Sequence, residues 1–219
     1  MLSGAGLSAE SGLGTFRDRG GLWTRYDLNE VATPEGFAAD PAKVHAFYNA
    51  RRANMRAAAP NAAHRALADL SRRPGITLVT QNIDDLLERA GATGVIHMHG
   101  ELSRALCYAC GHRCDAPDVM APGDPCPACG APATRPDVVW FGEMPYRMDE
   151  IGAALAACDL FVSVGTSGTV YPAAGFAEEA AMHGADTLEI YLEPSGGRFD
   201  RTITGPATAT VPEWVASLP

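Results

Sequence analysis

Short apolar, β-branched runs alternate with alanine-rich stretches along most of this chain. "ITLVT" (76–80), "VIHM" (95–98), "DVVWF" (137–141), "LFVSVGT" (160–166) and "LEIYL" (188–192) predict strands. Between them, residues 60–71, 82–90, 149–157 and 172–183 predict helices, many opening near Pro, Asn or Asp. Near-continuous apolar strands separated by helices are buried on both faces. The expectation is an α/β fold with a parallel sheet covered by helices on each side.

Two stretches interrupt the alternation. Residues 19–58 form a Gly/Pro-punctuated helical excursion, and residues 104–135 carry five of the six cysteines. Both read as insertions that build a smaller lobe, leaving a core of 1–18, 59–103 and 136–219. Ligands of such sheets bind beyond the carboxyl ends of the strands, so the cleft between the lobes is the expected site. Within the excursion, Val44, Tyr48, Arg51 and Met55 share one helical stripe, while Arg52 and Arg56 fall on the side expected to face water. Arg51 therefore either snorkels out of an apolar stripe or faces something negatively charged.

The formal net charge of −9 speaks against a general nucleic-acid binder, which needs a basic face. No apolar run approaches the roughly 18 residues of a membrane span. The opening "MLSGAGLS" lacks the basic and apolar regions of a signal peptide, so a cytoplasmic protein is expected. Six cysteines without a secretory signal read as metal ligands before disulfides.

"CYAC" (107–110) and "CPAC" (126–129) have the spacing of a four-cysteine zinc ribbon. Cys107, Cys110, Cys126 and Cys129 would close a tetrahedral shell, which makes one zinc ion structural rather than catalytic. Cys114 reads as a spare thiol and Cys158 as core. "GAGLSAESG" (4–12) fits a Gly-rich turn that lets the backbone approach a pyrophosphate, or it is only a tight turn. A hydride-transfer dehydrogenase would carry an acidic residue about 20 residues on. The Gly-rich "SGLGTFRDRGGLW" (11–23) stands there instead. "TQNIDDL" (80–86) puts Gln81, Asn82 and Asp84 at a strand end, either as partners for a carboxamide and ribose or as a helix cap. "HMHGEL" (97–102) brings His97 and His99 to one face of a strand end, where either could serve as a general base or a structural ring.

Together, "GAGLSAESGLGTFRD", "TQNIDDL", "HMHGEL", the two cysteine pairs, "RPDVVWFGEMP" (135–145) and "VGTSGTVYPAA" (164–174) resemble the sirtuin family of NAD-dependent protein deacylases. The resemblance implies a Rossmann-like (DHS-like) parallel sheet, a small zinc-ribbon and helical lobe, and NAD as cosubstrate between them. It implies that Gly4, Ala5, Gly6 and Ser8 form the pyrophosphate turn, with Phe16, Arg17 and Trp23 near the reacting end of NAD. Asn82, Ile83 and Asp84 would hold the nicotinamide and Gln81 the ribose. His99 matches the general base, and His97 a supporting role. Gly165, Thr166 and Ser167, then Tyr191, Leu192, Glu193 and Ala207, match further nucleotide contacts.

Val139, Phe141, Gly142 and Glu143, with Val170 and Tyr171, resemble the two edges that sandwich an acyl-lysine peptide as an added strand. Tyr48 and Arg51 are similar to the Tyr-x-x-Arg pair of class III sirtuins, which implies succinyl- and malonyl-lysine ahead of acetyl-lysine. Expected partners are acylated lysines of proteins or peptides, with no membrane and no nucleic acid, and a monomer is favoured. A protein ADP-ribosyltransferase, or an NAD-binding zinc-ribbon adaptor without turnover, are the other readings of the same residues. Two departures stand out. Only Met1–Ser3 precede Gly4 where the family has a complete strand. Tyr191 stands where the family usually has Asn.

Overall fold

The computed structural model describes residues 1–14, 27–193 and 195–219. The strand β1 (Leu2–Ser3) runs into α1 (Ala5–Ala9). A helical segment follows, α2 (Leu28–Val31), α3 (Pro34–Ala39) and α4 (Pro41–Ala57), then α5 (Ala62–Ser71), β2 (Val79–Thr80), α6 (Leu86–Arg89) and β3 (Ile96–His97). Next come β4 (Gly100–Cys107), β5 (Arg113–Asp115), β6 (Thr134–Val138), α7 (Met148–Ala157) and β7 (Leu160–Val164). After these lie α8 (Phe176–Met182), β8 (Asp186–Tyr191), β9 (Arg201–Thr204) and α9 (Ala207–Ala216).

The larger sheet has the order β3-β2-β1-β7-β8-β9, and every pairing in it is parallel. On one face α5 and α9 pack Leu67, Leu70, Val211 and Trp214 against Val162, Val164 and Ile190. On the other, α7 and α8 bring Ile151, Leu155, Phe176 and Ala180 onto Leu2, Val79 and Phe161. Helices thus cover both faces, which is why these strands carry apolar side chains at consecutive positions. A third core joins α4, through Val44, Phe47, Tyr48 and Met55, to Ile83, Leu102, Val138 and Trp140.

The run at 137–141, expected as a strand of the parallel sheet, behaves differently. β6 ends at Val138 and pairs antiparallel with β4 in a separate sheet of order β5-β4-β6. Beyond it, the Trp140 amide donates to Glu143 Oε2 at 2.8 Å and the Phe141 amide to the Ala32 carbonyl at 2.9 Å. With those amides captured elsewhere, no ladder continues.

Arg52 also departs from expectation, because it is completely buried rather than solvated. Its Nε donates to the Leu102 carbonyl at 2.7 Å, one Nη to Asn49 Oδ1 at 2.8 Å, and the other contacts Met120 Sδ at 3.4 Å. Asn49 in turn exchanges two hydrogen bonds with the Met120 backbone. Arg52 therefore fastens α4 to β4 and to the cysteine-bearing segment. Arg52→Met should leave these acceptors unpartnered and lower stability by about 2–3 kcal/mol, which a thermal melt would show as a drop of several degrees. Among the described residues, no helix is long and apolar enough to cross a membrane.

Candidate active site

From β1 the chain first adds β2 and β3 on one side, and later β7, β8 and β9 on the other. The sheet order therefore reverses between β1 and β7, and their carboxyl ends open a crevice. The glycine turn lies there. The Gly4 amide donates to the Val164 carbonyl at 3.0 Å, and the Gly6 amide to the Gly165 carbonyl at 2.8 Å. A Cβ on Gly6 would lie 2.8 Å from Gly165 Cα, and one on Gly165 (φ +61°) 2.5 Å from the Leu7 nitrogen. Only bare backbone fits this crossing.

The loop after β2 closes the other side of the crevice. Gln81 Nε2 donates to Thr166 Oγ1 at 2.9 Å, joining the two strand ends. Asn82 Nδ2 donates to the Gly4 carbonyl and to Ser8 Oγ, both at 3.1 Å. Ser8 Oγ donates to Asp84 Oδ2 at 3.0 Å and contacts His64 Nε2 at 3.2 Å. His64 Nδ1 accepts the Asn61 amide, so the ring is neutral with its proton on Nε2. Burial lowers its pKa to about 4, with the Arg65 charge adding to the effect. Burial also pushes the Asp84 carboxyl up, against the hydrogen bonds from Leu86 and Ser8.

His99 leaves β3 with Nδ1 at 3.1 Å from the Gln81 carbonyl. A carbonyl only accepts, so Nδ1 carries the hydrogen and Nε2 keeps a lone pair for a proton from outside. Burial lowers the His99 pKa below the ordinary histidine value, opposed by the bond to Gln81. Gly100 follows with φ +77°, and a Cβ there would lie 2.1 Å from the Asp137 carbonyl. The "HG" pair is thus a ring with one open nitrogen followed by the residue that lets the chain turn sharply into β4. The His97 ring lies at 3.1 Å from the Asn82 carbonyl.

On α4, Tyr48 is buried and half-buried Arg51 lies beside it. The Arg51 guanidinium is 5.7 Å from the Phe47 ring centre and 5.8 Å from that of Tyr48. Burial lowers its pKa to about 10, with Tyr48 and Asp84 acting in the opposite direction, so it remains charged at neutral pH. Trp140 Nε1 donates to the Tyr48 hydroxyl oxygen at 3.0 Å. Burial raises the Tyr48 pKa, so its own hydrogen stays available for donation. Beneath Trp140, Arg135 stacks at 3.7 Å from the ring centre and pairs with both Glu143 oxygens at 2.8 Å. The Glu143 side chain is therefore engaged internally. Phe141 and Tyr171 are exposed, and the Val139 amide donates to the His99 carbonyl at 2.9 Å.

The four cysteine sulfurs lie within 4.8 Å of one another, with Cys107–Cys129 and Cys110–Cys126 both at 3.8 Å. Zinc–sulfur bonds of about 2.3 Å give a tetrahedron of edge about 3.8 Å, so the set fits zinc. Cys114 stands apart on β5. β4 separates Gly100 from Cys107, a strand of about 25 Å, which sets the metal position away from His99.

Contacts thus bring together Gly4, Gly6, Ser8, Gln81, Asn82, Asp84, Gly165 and Thr166. Ser167 bonds Thr169 at the rim. Tyr191 ends β8 at the same end of the sheet, with Leu192 and Glu193 just beyond it, and Ala207 opens α9. Phe16, Arg17 and Trp23 lie outside the described residues. Arg135 and His64 belong to the neighbourhood with no role read from sequence, and Trp140, within the 140–143 stretch read as a peptide-binding edge, also bonds Tyr48. The Asn61-x-x-His64 spacing of a capping box was the one local signal for His64.

The donor set of amides, hydroxyls and one carboxylate at a glycine turn suits ribose hydroxyls, a carboxamide and a pyrophosphate, so the residues present fit NAD. A model described as "Sir2 family" matches residues 4–172. The chain is 58% identical over 230 residues to an NAD-dependent protein deacylase of Caulobacter vibrioides, covering all of this chain and 95% of the relative. To the enzyme of that name in Escherichia coli K12 it is 54% identical over 225 residues, covering all of this chain and 81% of the relative. A Sir2 homolog–NAD complex superposes with a TM-score of 0.89 at 39% identity, over 98% of this chain and 86% of the other. A Sir2 with a deacetylated p53 peptide and 3′-O-acetyl ADP-ribose does so at 0.81 and 27% identity, over 98% and 89%. With turn, base and cysteine pairs in place and relatives matched along its whole length, this chain belongs to the Sir2 family.

Proposed function

We propose that the protein is an NAD-dependent protein-lysine deacylase that removes succinyl and malonyl groups in preference to acetyl. Its family and the names of its relatives support the deacylase activity. The acyl preference rests on one observation, the charged Arg51 beside a Tyr48 hydroxyl whose lone pair is already engaged by Trp140. The O–H and the guanidinium then offer donors together, which suits a carboxylate and wastes a donor on a methyl group.

In this reading Asn82, Ile83 and Asp84 hold the nicotinamide and Gln81 a ribose. Gly4, Ala5, Gly6 and Ser8 carry the pyrophosphate, and Phe16, Arg17 and Trp23 serve the reacting end. Gly165, Thr166, Ser167, Tyr191, Leu192, Glu193 and Ala207 take the adenosine side. The peptide lies extended between Val139–Glu143 and Val170–Tyr171. NAD, when bound, would supply an anomeric carbon for the acyl oxygen as nicotinamide leaves, and addition of one water would then release free lysine and O-acyl-ADP-ribose. His99 takes a ribose hydroxyl proton at Nε2, while the Gln81 carbonyl holds its Nδ1–H. Four cysteine thiolates hold zinc as a structural ion, in a small lobe drawn from 19–58 and 104–135. The chain works as a cytoplasmic monomer.

A panel of acetyl-, malonyl-, succinyl- and glutaryl-lysine peptides with NAD tests this, nicotinamide release being read with and without peptide. Arg51→Met keeps the apolar stem and removes the charge. A charge-assisted hydrogen bond contributes about 1.5–3 kcal/mol, so kcat/KM on succinyl-lysine should fall roughly ten- to a hundredfold. Deacetylation should survive, and Tyr48→Phe should repeat the pattern more weakly. Equal losses on acetyl and succinyl peptides would return Arg51 to a packing role. Nicotinamide release without any acyl peptide would refute the deacylase reading.

A further inference from the structure

His97 is held by acceptors on both sides of its ring. Its Nδ1 lies 3.1 Å from the Asn82 carbonyl and its Nε2 2.8 Å from Glu88 Oε1 on α6. A carbonyl and a carboxylate have no hydrogen to give, so both contacts are hydrogen bonds only when the ring carries two protons. Either neutral tautomer sets a ring lone pair against an oxygen lone pair at one end. Two residues on, His99 grips the Gln81 carbonyl in the same manner with one nitrogen and leaves the other open. Two rings spaced i, i+2 therefore hold consecutive carbonyls of the loop that carries Asn82 and Asp84, and they differ only in what faces Nε2.

We propose that His97 acts as a doubly protonated clasp that positions Asn82, so that affinity for NAD weakens as the solution turns alkaline. The functional half of this rests on the deacylase reading; the protonation half does not. Asn82 has no slack elsewhere. Its amide donates to Thr80 Oγ1 at 3.0 Å and its side chain reaches Gly4 and Ser8. When the ring loses a proton, the Glu88 carboxylate, the stronger acceptor, keeps the remaining hydrogen on Nε2, so Nδ1 turns a lone pair on the Asn82 carbonyl and releases that face of the loop.

The charged groups acting on the ring are Glu88 from α6, Glu101 from β4 and Asp84 from the loop, all carboxylates. His64 from α5 stands near Glu88 but is neutral and bonded to Ser8. Burial alone would lower the His97 pKa, yet the hydrogen bond and charge of Glu88, with Glu101 and Asn82, raise it above the ordinary value. The two facing acceptors favour the doubly protonated ring, and the clasp opens as pH rises through that raised value. His97 touches no reacting atom; it is a positioning residue.

The test combines ring ¹⁵N NMR with calorimetric NAD titration at pH 7 and pH 9, on the full chain without peptide. His97 should show two protonated ring nitrogens at pH 7, where His64 and His99 show one. Wild-type NAD affinity should fall roughly two- to tenfold by pH 9, the effect of one lost hydrogen bond. His97→Asn keeps an amide donor near the Nδ1 position and cannot titrate, so its affinity should be the same at both pH values. Glu88→Gln, at a half-exposed site, should bring the loss of the ring proton about one pH unit lower. A singly protonated His97 at pH 7, or an equal alkaline fall in wild type and His97→Asn, would overturn the inference. NAD that fails to bind at any pH would instead count against the deacylase reading, and the ring spectrum would still decide the clasp.

Discussion

His99→Ala should lower turnover by roughly a hundredfold or more while NAD remains bound. The size follows from what the ring supplies. The Gln81 carbonyl fixes the hydrogen on Nδ1, so Nε2 is a base already in the required tautomer. Neither neighbouring imidazole can substitute, since His64 donates from Nε2 to Ser8 and His97 is engaged at both nitrogens. The pH dependence has a definite sign. A base works only when unprotonated, and burial moves the His99 pKa below its ordinary value near 6.5. The acid limb of kcat should therefore lie below pH 6.5, with turnover lost as pH falls through it. A kcat profile over that range, with NAD binding followed separately, checks both points. A His99→Ala enzyme with most of its turnover would mean that the proton leaves by another route.

Removal of zinc should unfold the cysteine-bearing lobe and abolish activity. Binding at four-thiolate sites is worth about 10–16 kcal/mol, whereas whole domains are stable by about 5–15 kcal/mol. The metal term is thus as large as everything else that holds the chain together. The loss should travel, because β4 runs from Gly100, next to the base, to Cys107, and Arg52 binds α4 to the same strand. Cys126→Ser should reproduce the effect of a chelator, and Cys114→Ser should leave metal content and activity intact. Metal analysis, circular dichroism and turnover on one preparation decide it. A metal-free chain with full activity and an unchanged melting temperature would refute the structural role.

Strands buried on both faces were legible because burial leaves a continuous apolar run. Residues 76–80, 95–98 and 160–166 each contain a strand of the parallel sheet, and 188–192 overlaps β8, which begins at Asp186. β4, β6 and β9 were not legible in this way. β4 alternates burial and carries a bulge between Gly100 and Ala105. β9 is a largely exposed edge strand, and β6 buries Arg135 and Asp137, whose partners Glu143 and Arg113 lie outside any local pattern. α9, with Pro212 inside it, lacks a helical signature.

Arg51 and Arg52 show the same limit at single-residue scale. Helical spacing separates their directions, but only chain segments some 50 to 70 residues away determine which one is sealed in. The glycine turn, the "HG" corner and the cysteine pairs were readable because their chemistry is local. Trp140 was not, since its importance comes from touching Tyr48 on a distant helix.

That contact has an optical consequence. Indole emission responds to hydrogen bonding at its nitrogen and to nearby charge, and Trp140 has the Tyr48 hydroxyl on the first and Arg135 stacked on its ring. Trp214, by contrast, is packed between α9 and the sheet, away from the acyl pocket. The protein therefore carries a native chromophore bonded to Tyr48, the residue proposed above to meet the acyl group. Acyl chains can in principle be distinguished by light in the unlabelled protein before any bond is broken.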